Sequence, residues 1–495
     1  MKFPSAITIL LVIAGLVAIS TWLIPAGSFD SISYNADEQS FIKKGVNSTI
    51  SLPATQSTLD ELNVKIPVEK FTSGAIYRPV SIPGSYQNVA SKPQGFLAFA
   101  MSPIKGIIEA SDIIFLVLIL GGLIGVMNAS GSFTAGIAWL SKFLKNREYL
   151  LIVFTTFLVA IGGTTFSFGE EAIPLYLILV PVFMAAGYDA IVGFACVFLG
   201  SCVGIMCSTI SPFMTIIASD AAGIVWTTGL YGRLAMFMIC VSITIIYILR
   251  YASKVKKNPS ASIVYADKAM LEEYMGLNAE KEIAPLNSQR ILILLIFMSC
   301  FALMIFGVSI LDWWFVEITT LFLCTTVLIG IIARMKETTF LETFMKGAGE
   351  LLGVAFIIGI ARGVSILMQD GMINDTILYF SASLTDGLNK GVFVNVMFVI
   401  YNGLSFLIPS STGLAVLTIP VFAPLADAAG FGREVIVNTY QFGNGLFNII
   451  NPTALVLPGL AVVKIGYDRF LKFVWPLVLI LFMVTVIFLT IQVYS

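Results

Sequence analysis

Long apolar runs separated by short polar breaks make up most of this chain. A membrane-spanning helix needs about 20 mostly apolar residues, and runs of roughly that length recur from Ser5 to Val493. The runs between Gly163 and Ala218, and between Ile408 and Val462, are shorter and often broken. Backbone that is irregular at membrane depth must be buried in protein or line a cavity. The pattern therefore predicts an all-α polytopic membrane protein with re-entrant helical hairpins.

The same series of breaks occurs twice along the chain. Three landmarks share one offset of 243 positions (424 − 181, 430 − 187 and 443 − 200): Pro181 and Pro424, Gly187 and Gly430, and Gly200 and Gly443. Secondary transporters are commonly built from two inverted repeats, with substrate held near the bilayer midplane where interrupted helices meet. The duplication therefore predicts a transporter with two inverted repeats.

The alternation of apolar and polar stretches divides the chain into five parts. They are a first transmembrane helix (1–28), an extracytoplasmic polar loop (29–93), a first transporter repeat (94–251), a cytoplasmic linker (252–289) and a second transporter repeat (290–495). A cleaved signal peptide is the alternative for the first part, although its apolar run exceeds the usual core of about 7–15 residues. The linker is placed in the cytoplasm because Lys254, Lys256 and Lys257 follow a span directly, and cytoplasmic loops are enriched in Lys and Arg.

Composition limits the possible functions. Apolar residues make up 58% of the 495 positions and charged residues 12%, whereas soluble domains carry roughly 25% charged residues. A net charge of −1 argues against nucleic acid as a partner, because nucleic-acid-binding proteins carry basic patches. The chain has no histidine, so any proton coupling depends on carboxylates. Since no metal-binding motif is present either, the sequence predicts that the protein is not an enzyme and has no cofactor apart from a coupling ion.

The first polar break carries two adjacent carboxylates, Glu170 and Glu171. A charge at membrane depth costs roughly 2.5–3.5 kcal/mol on insertion scales, so such a residue usually faces a cavity and has a function. Together with Thr165, the pair predicts a hairpin tip that binds substrate, a cation or a proton. The alternative is a loop that reaches water and leaves both carboxylates solvated.

The corresponding breaks in the second half are polar but uncharged. A tip rich in hydroxyls offers oxygens to a hard cation and N–H groups to a carboxylate, and the alternative is an ordinary kink capped by Ser or Thr. Candidate substrate-binding residues are Glu170, Glu171, Thr165, Ser410, Ser411, Thr412, Asn444, Asn451 and Thr453. Ser411, Thr412 and Asn451 also form a candidate Na⁺ site.

Five further charged residues lie inside or beside apolar runs. Arg362 is embedded in such a run, where an ion pair with a carboxylate and a contact with substrate are both possible. Asp189, Asp220, Asp370 and Asp375 lie close to glycines or predicted helix ends. This position is typical of helix caps and solvated turns.

Six motifs carry a resemblance to a known family. They are Gly169-Glu170-Glu171-Ala172-Ile173-Pro174, Ala186-Gly187-Tyr188-Asp189, Gly359-Ile360-Ala361-Arg362-Gly363, Ile408-Pro409-Ser410-Ser411-Thr412-Gly413, Pro424-Leu425-Ala426-Asp427 and Gln441-Phe442-Gly443. On these motifs the chain resembles the anaerobic C4-dicarboxylate carrier (DcuC-like) family, and more closely its YfcC branch, whose members are labelled as basic amino-acid transporters or antiporters. The resemblance implies an elevator-type homodimer in which substrate lies between the tips at Glu170–Glu171 and Ser410–Gly413.

Two positions depart from the pattern of these relatives. They usually show Gly-Asp-Gly where this chain has Gly443-Asn444-Gly445, and Asn-Pro-Phe where it has Ser211-Pro212-Phe213. Asn444 lacks the charge of a carboxylate and so removes one possible partner for a cation. The assignment of a basic substrate by resemblance is weakened accordingly.

These features predict a multi-pass secondary active transporter that moves a small organic solute across the lipid bilayer of the cytoplasmic membrane. A basic amino acid, taken up or exchanged, is favoured because Glu170 and Glu171 complement a cationic side chain. The alternative is a C4-dicarboxylate carrier coupled to Na⁺ or H⁺, with Arg362 binding the anion. A passive channel is a further alternative, which single-channel currents would support.

Overall fold

The computed structural model describes residues 4–46, 48–73, 76, 79–133, 135, 136, 139, 147–275, 277, 286–311, 313–385 and 387–495, without the side chains of residues 305 and 308–310. Residue 276 and residues 278–285 of the predicted linker lie outside this set. The helices are α1 (Ala6–Leu23), α2 (Gln56–Glu61), α3 (Val68–Thr72), α4 (Phe96–Glu109), α5 (Ser111–Ala129), α6 (Tyr149–Phe166), α7 (Ile173–Ala185), α8 (Ala190–Met206), α9 (Ile217–Ala222), α10 (Leu230–Lys257), α11 (Lys268–Tyr274), α12 (Ser288–Ile310), α13 (Phe315–Ile332), α14 (Glu337–Glu350), α15 (Leu352–Asp370), α16 (Asn374–Ser383), α17 (Lys390–Leu407), α18 (Ser411–Ala429), α19 (Arg433–Asn448), α20 (Val456–Val462) and α21 (Tyr467–Tyr494).

Nine of the described helices are long and apolar enough to cross a membrane. The prediction of a mostly helical, polytopic membrane protein is therefore confirmed. Other apolar helices are too short for an independent crossing: α7 has 13 residues and α8 has 17. The nine long helices are α1, α5, α6, α10, α13, α15, α17, α18 and α21.

The order of helices from α4 to α10 recurs from α14 to α21, where α16 is an additional helix. Each series begins with a helix pair broken at one residue, Ala110 in the first and Leu351 in the second. The two pairs lie side by side and run in opposite directions, because α4 packs on α15 while α5 packs on α14. A Cβ at Gly106 would overlap the backbone of Gly359, and one at Gly125 would lie 2.6 Å from the Thr343 carbonyl oxygen. Glycine is therefore required where these backbones meet.

The helices form two groups. The first bundle contains α1, α4, α5 and α12–α15, and the second bundle contains α6–α10 and α17–α21. Within the second bundle α6 packs on α8, α17 packs on α19, and α8 packs on α19. Contacts between the bundles are sparser and involve α15 with α20 and α5 with α7. The helices of each bundle therefore pack mainly on one another.

The segment predicted as a polar loop has secondary structure of its own. Its strands are β1 (Gly27–Ser28), β2 (Ser31–Asn35), β3 (Ser40–Lys44), β4 (Thr49–Pro53), β5 (Val80–Ser81) and β6 (Gln87–Asn88). An antiparallel sheet has the order β4-β3-β2-β5, and β1 pairs with β6. We call residues 27–93 the cap. It forms a sheet because its apolar side chains alternate with polar ones, as in Ser31–Asn35, where Ile32 is fully buried.

The linker is attached to the second bundle. Asp189 caps α8 by accepting from the Val192 N–H at 3.0 Å, and it also accepts from the Tyr251 and Ser262 hydroxyls at 2.7 and 2.6 Å. Burial raises the pKa of this carboxyl, although the three hydrogen bonds oppose the shift. The helices on either side of the linker overlap the ends of the predicted range 252–289, because α10 continues to Lys257 and α12 begins at Ser288.

Candidate functional site

Four segments without α-helix interrupt the second bundle. Tip one (residues 167–172) joins α6 to α7, and tip two (408–410) joins α17 to α18. Break one (207–211) follows α8, and break two (449–455) follows α19. Prolines favour these interruptions because they lack an N–H donor and restrict the preceding residue. The site is built from these four segments and the helix ends beside them.

Tip one is tied to break one by hydroxyl groups. The Ser167 and Ser211 hydroxyls lie 2.7 Å apart, and the buried Thr164 hydroxyl donates to the Cys207 carbonyl at 2.7 Å. Ser167 has a φ of 56°, in the left-handed region. That conformation ends α6 and turns the chain toward the two carboxylates.

The two carboxylates lie on a single 3₁₀ turn at the end of tip one, and both are half-buried. Glu171 accepts from the Gly169 N–H at 3.1 Å, which holds its side chain against the tip. Glu170 lies within electrostatic range of Asp112 on α5 and Arg362 on α15. Tip one therefore faces the first bundle at the broken helix pairs.

Tip two and break two share one network of amide and hydroxyl groups. Ser411 donates to the Asn444 side-chain oxygen at 3.0 Å, and the Asn444 amide donates to the Ser405 hydroxyl at 3.1 Å. The Asn451 amide donates to the Ser405 carbonyl at 3.0 Å, and its oxygen accepts from the Thr453 hydroxyl at 2.8 Å. Asn444 and Asn451 are both fully buried. Buried polar groups of this kind are usually satisfied by one another, as here.

The two halves meet at the end of break one and at the residues that directly follow it. The Thr412 hydroxyl donates to the Phe213 carbonyl at 2.9 Å, two residues beyond the serine that contacts tip one. On α19, the Gln441 amide donates to the Thr215 hydroxyl at 2.7 Å. Gly445 also packs against α8, since a Cβ there would overlap the backbone of Met206. Both predicted tips are therefore adjacent to a common segment of the first half.

Some of the candidate residues chosen from the sequence belong to one hydrogen-bonded network in the structure, and others do not. Ser411, Thr412, Asn444, Asn451 and Thr453 belong to the connected network around tip two and the breaks. Ser410 caps α18 by accepting from the Gly413 N–H at 3.2 Å. Thr165 donates to the Ile161 carbonyl of its own helix, and its neighbour Thr164 makes the contacts with break one. Ser405 and Gln441 are residues of the site that sequence reasoning did not select, although polar residues within apolar runs were the available signal. Thr164, Ser167 and Ser211 belong to the polar breaks that it recognised, but they were not chosen as substrate-binding candidates.

Arg362 forms an ion pair. Its guanidinium contacts the Glu109 carboxylate at 2.6 Å, and Lys105 pairs in the same way with Asp370 at 2.6 Å. Both pairs join α4 to α15. Of the two possibilities for Arg362, the described structure contains the ion pair, so its charge is largely compensated.

The adjacent residues Thr164 and Thr165 provide a matched test of the contact between tip one and break one. Thr164→Val removes hydrogen bonds to Cys207 and Thr209 with little change of shape. Leaving buried polar partners unsatisfied costs about 1–3 kcal/mol, so we expect a lower Tm in detergent. Thr165→Val loses only a bond within its helix and should keep a Tm close to that of the parent. Equal Tm values for the two variants would contradict the described packing of tip one.

The arrangement can bind a small solute by charge and by hydrogen bonds. Tip one supplies carboxylates, and tip two supplies hydroxyl and amide groups. The described residues contain no group of three or more His, Cys, Asp or Glu side chains that could hold a metal ion. Cation binding at the predicted Na⁺ residues would therefore use hydroxyl, amide and main-chain oxygens.

Comparison with known proteins defines the class. The family model described as "DcuC: C4-dicarboxylate anaerobic carrier" matches residues 3–494. The chain therefore belongs to the DcuC family of membrane transporters, and the resemblance found in the sequence motifs is confirmed.

Two relatives align over nearly the whole chain. An uncharacterized protein of Haemophilus influenzae is 41% identical over 495 residues, covering 99% of this chain and 97% of the relative. The protein named "Putative basic amino acid antiporter YfcC" in Escherichia coli is 29% identical over 490 residues, covering 95% and 92% of the two chains.

Two solved structures were also found. The YdaH transporter of Alcanivorax borkumensis aligns over 99% of this chain and 98% of its own, with 13% identity and a TM-score of 0.39. MtrF of Neisseria gonorrhoeae, described with a class of antimetabolite efflux pumps, aligns over 100% of this chain and 96% of its own, with 17% identity and a TM-score of 0.38.

Proposed function

We propose that this protein is a secondary active transporter that binds its substrate between tip one and tip two. The observation that carries the proposal is the position of residues 211–213 at the end of break one, where Ser211 contacts Ser167 of tip one and Phe213 contacts Thr412 beside tip two. Polar interruptions that meet inside a helix bundle are where such transporters hold substrate. Membership of a transporter family agrees with this assignment.

A basic amino acid is the substrate class that the charges favour. Glu170 and Glu171 are the acidic groups of the tips, whereas Arg362, the cation that an anionic substrate would need, is paired with Glu109 at 2.6 Å. The name of the Escherichia coli relative points to the same class. The description of the family model keeps a C4-dicarboxylate as the alternative substrate.

The transport cycle that suits this architecture is an elevator movement between two inverted repeats. The repeated order of elements, with its antiparallel helix pairs, supports the inverted repeat. Sparse contacts between the bundles favour sliding of the second bundle against the first. We place the transporter in the cytoplasmic membrane as a homodimer, and exposed apolar side chains on α12 and α13, such as Leu295 and Val327, suit lipid or a second copy.

A coupling ion completes the proposal. Among the residues that the structure describes, the buried Gln441 side-chain oxygen has no hydrogen-bond partner; it lies beside Thr215 and so can accept a ligand. Hydroxyl and amide oxygens are suitable ligands for a hard cation, which supports Na⁺ at the tip-two network, while Glu170 and Glu171 provide the groups for H⁺ coupling. Replacing external Na⁺ with choline should stop uptake if Na⁺ is the coupling ion and leave it unchanged if H⁺ is.

Uptake into proteoliposomes tests the proposed function. We expect saturable uptake of labelled arginine that is accelerated by unlabelled arginine inside the vesicles, and no uptake of labelled succinate. Uptake of succinate alone would establish the alternative substrate. Single-channel currents without counterflow would refute secondary transport altogether.

A further inference from the structure

The end of α10 carries cationic side chains that the proposed function does not use. Arg250, Lys254 and Lys257 are all exposed, and residues spaced four and three positions apart lie on one face of a helix. Lys256 lies on a different face, where its ammonium pairs with the Glu148 carboxylate at 3.1 Å. The structure therefore separates one paired lysine from three cations that face outward together.

A fourth cation lies beside them on α21. The start of α10 lies against the end of α21, since a Cβ at Gly232 would be 3.5 Å from the Phe488 ring. Near the other end of α10, the Tyr251 and Phe473 ring centroids are 4.9 Å apart. The two helices are thus antiparallel, and exposed Lys472, which precedes Phe473, lies close to the cationic end of α10. We call these four cations the basic patch: Arg250, Lys254, Lys257 and Lys472.

The patch lies at the end of an exposed apolar surface. α10 and α21 bury their opposite faces in one continuous apolar core, so their exposed faces point the same way. Ile246 on α10 and Leu479 on α21 are each 50% exposed on these faces. Each exposed stripe reaches the patch at helical spacing, because Ile246 comes four residues before Arg250 and Leu479 seven residues after Lys472. The cations therefore lie where a lipid-facing surface ends.

The length of the stripe on α10 matches the thickness of a membrane. Tyr231, at the other end of the stripe, is 87% exposed, and Arg250 comes 19 residues later (250 − 231). At 1.5 Å per residue this is about 28 Å, and the hydrocarbon core of a bilayer is about 30 Å thick. With Tyr231 at one surface, the basic patch lies among the headgroups of the other surface, which the sequence predicts to be cytoplasmic.

The charges of the patch are not neutralised by nearby carboxylates. In the part of the chain that the structure describes, none of its four cations forms an ion pair. The acidic residue at this end of α21 is Asp468, whose carboxylate lies 3.7 Å from the Arg469 guanidinium. Because these two neighbours offset each other, the patch keeps its positive charge.

We propose that the basic patch binds the phosphate of an anionic phospholipid whose acyl chains lie along the exposed stripes of α10 and α21. Basic pockets between transmembrane helices on the cytoplasmic side are suited to such headgroups. The apolar stripes favour a lipid over a free anion, because inorganic phosphate would contact the cations alone. None of the four residues belongs to the tips or breaks, so this site is independent of the proposed substrate site.

Thermal unfolding of the full chain in a nonionic detergent tests the site. The protein is titrated with dioleoyl phosphatidylglycerol, with dioleoyl phosphatidylcholine, which has the same acyl chains and no net charge, and with inorganic phosphate. A ligand that binds only the folded form stabilises it. We expect phosphatidylglycerol to give a saturable increase in Tm that the other two do not reproduce. An equal increase with phosphatidylcholine or with inorganic phosphate would overturn the assignment of an anionic lipid.

Substitutions at the patch locate the binding. Arg250→Gln combined with Lys254→Gln and Lys472→Gln should raise the half-saturating concentration of phosphatidylglycerol about 100-fold. This corresponds to about 3 kcal/mol at roughly tenfold per 1.4 kcal/mol, or about 1 kcal/mol for each cation near an anionic surface. The exchange Arg250→Lys, Lys254→Arg and Lys472→Arg keeps the charges and should keep the parental response. A parental response of the glutamine variant would overturn the site.

The matched control removes the same charge from the cap. Lys44, Lys65 and Lys92 are exposed, and the cap contacts the segment before α10, where a Cβ at Gly223 would lie 2.7 Å from the Lys65 carbonyl oxygen. The control is therefore at the opposite end of α10 from the patch. Lys44→Gln combined with Lys65→Gln and Lys92→Gln should respond to phosphatidylglycerol as the parent does. A loss equal to that of the patch variant would show a diffuse effect of net charge and would contradict a local site.

Discussion

Glu170→Gln and Glu171→Gln should each reduce arginine uptake into proteoliposomes by about 10- to 100-fold. The substitutions keep the shape of the side chains and remove the charges that face the proposed substrate. A hydrogen bond to a charged group contributes about 1.5–3 kcal/mol, and each 1.4 kcal/mol corresponds to about tenfold in affinity. Glutamine at position 171 can still accept from the Gly169 N–H, so the tip should keep its conformation.

The matched control is Glu342→Gln on α14, where the carboxylate is exposed. This variant should transport arginine at the parental rate. Parental Tm values for the two tip variants would show that loss of uptake is not loss of folding. Succinate uptake that survives both tip substitutions, in a protein that does not take up arginine, would contradict a cationic substrate.

Gly445→Ala should destabilise the protein by about 1–3 kcal/mol or more, because overpacking of a close-packed interior costs this much. A Cβ at this position would overlap the Met206 backbone, and α8 and α19 would have to separate. These helices carry break one and break two, so separation should also lower uptake. The change is measurable as a decrease in Tm together with a reduced initial rate.

Gly403→Ala provides the control. This glycine is also in a helix, α17, and an added Cβ there would have no neighbour within 4 Å in the described part of the chain. Alanine is favoured over glycine in a helix interior by roughly 0.5–1 kcal/mol, so the Tm should stay equal or rise. A Gly445→Ala protein as stable as Gly403→Ala would show that α8 and α19 are not packed as described.

The sequence predicted polar breaks at the positions of tip one and tip two, and α-helix is interrupted there in the structure. The binding roles of the candidate residues stay predictions. Glu170 and Ser411 were recognisable because a polar residue in an apolar run is unfavourable unless it has a partner or a function. The choice between Thr164 and Thr165 was not possible from sequence. Which of two adjacent residues points inward depends on where α6 ends, and that is set by the left-handed Ser167 and its contact with Ser211.

The cap shows a different limit of sequence analysis. Its polar composition did not predict the sheet in which β2 and β3 pair in an antiparallel register from Ser31–Lys44 to Asn35–Ser40. The alternating pattern of these strands is short, and their apolar face is partly covered by α17 and α18. A partner surface that is distant in sequence cannot be found from local periodicity.

By itself, the sequence determined that the chain is a polytopic membrane protein of a transporter family and that a series of polar breaks occurs twice along it. Hydrophobicity and helix-breaking residues act locally, so these properties can be found in one dimension. The tertiary structure decided which interruptions meet, that Arg362 pairs with Glu109, and that the cap joins both bundles. These features depend on contacts between residues up to several hundred positions apart, which only the packing of the helices brings together.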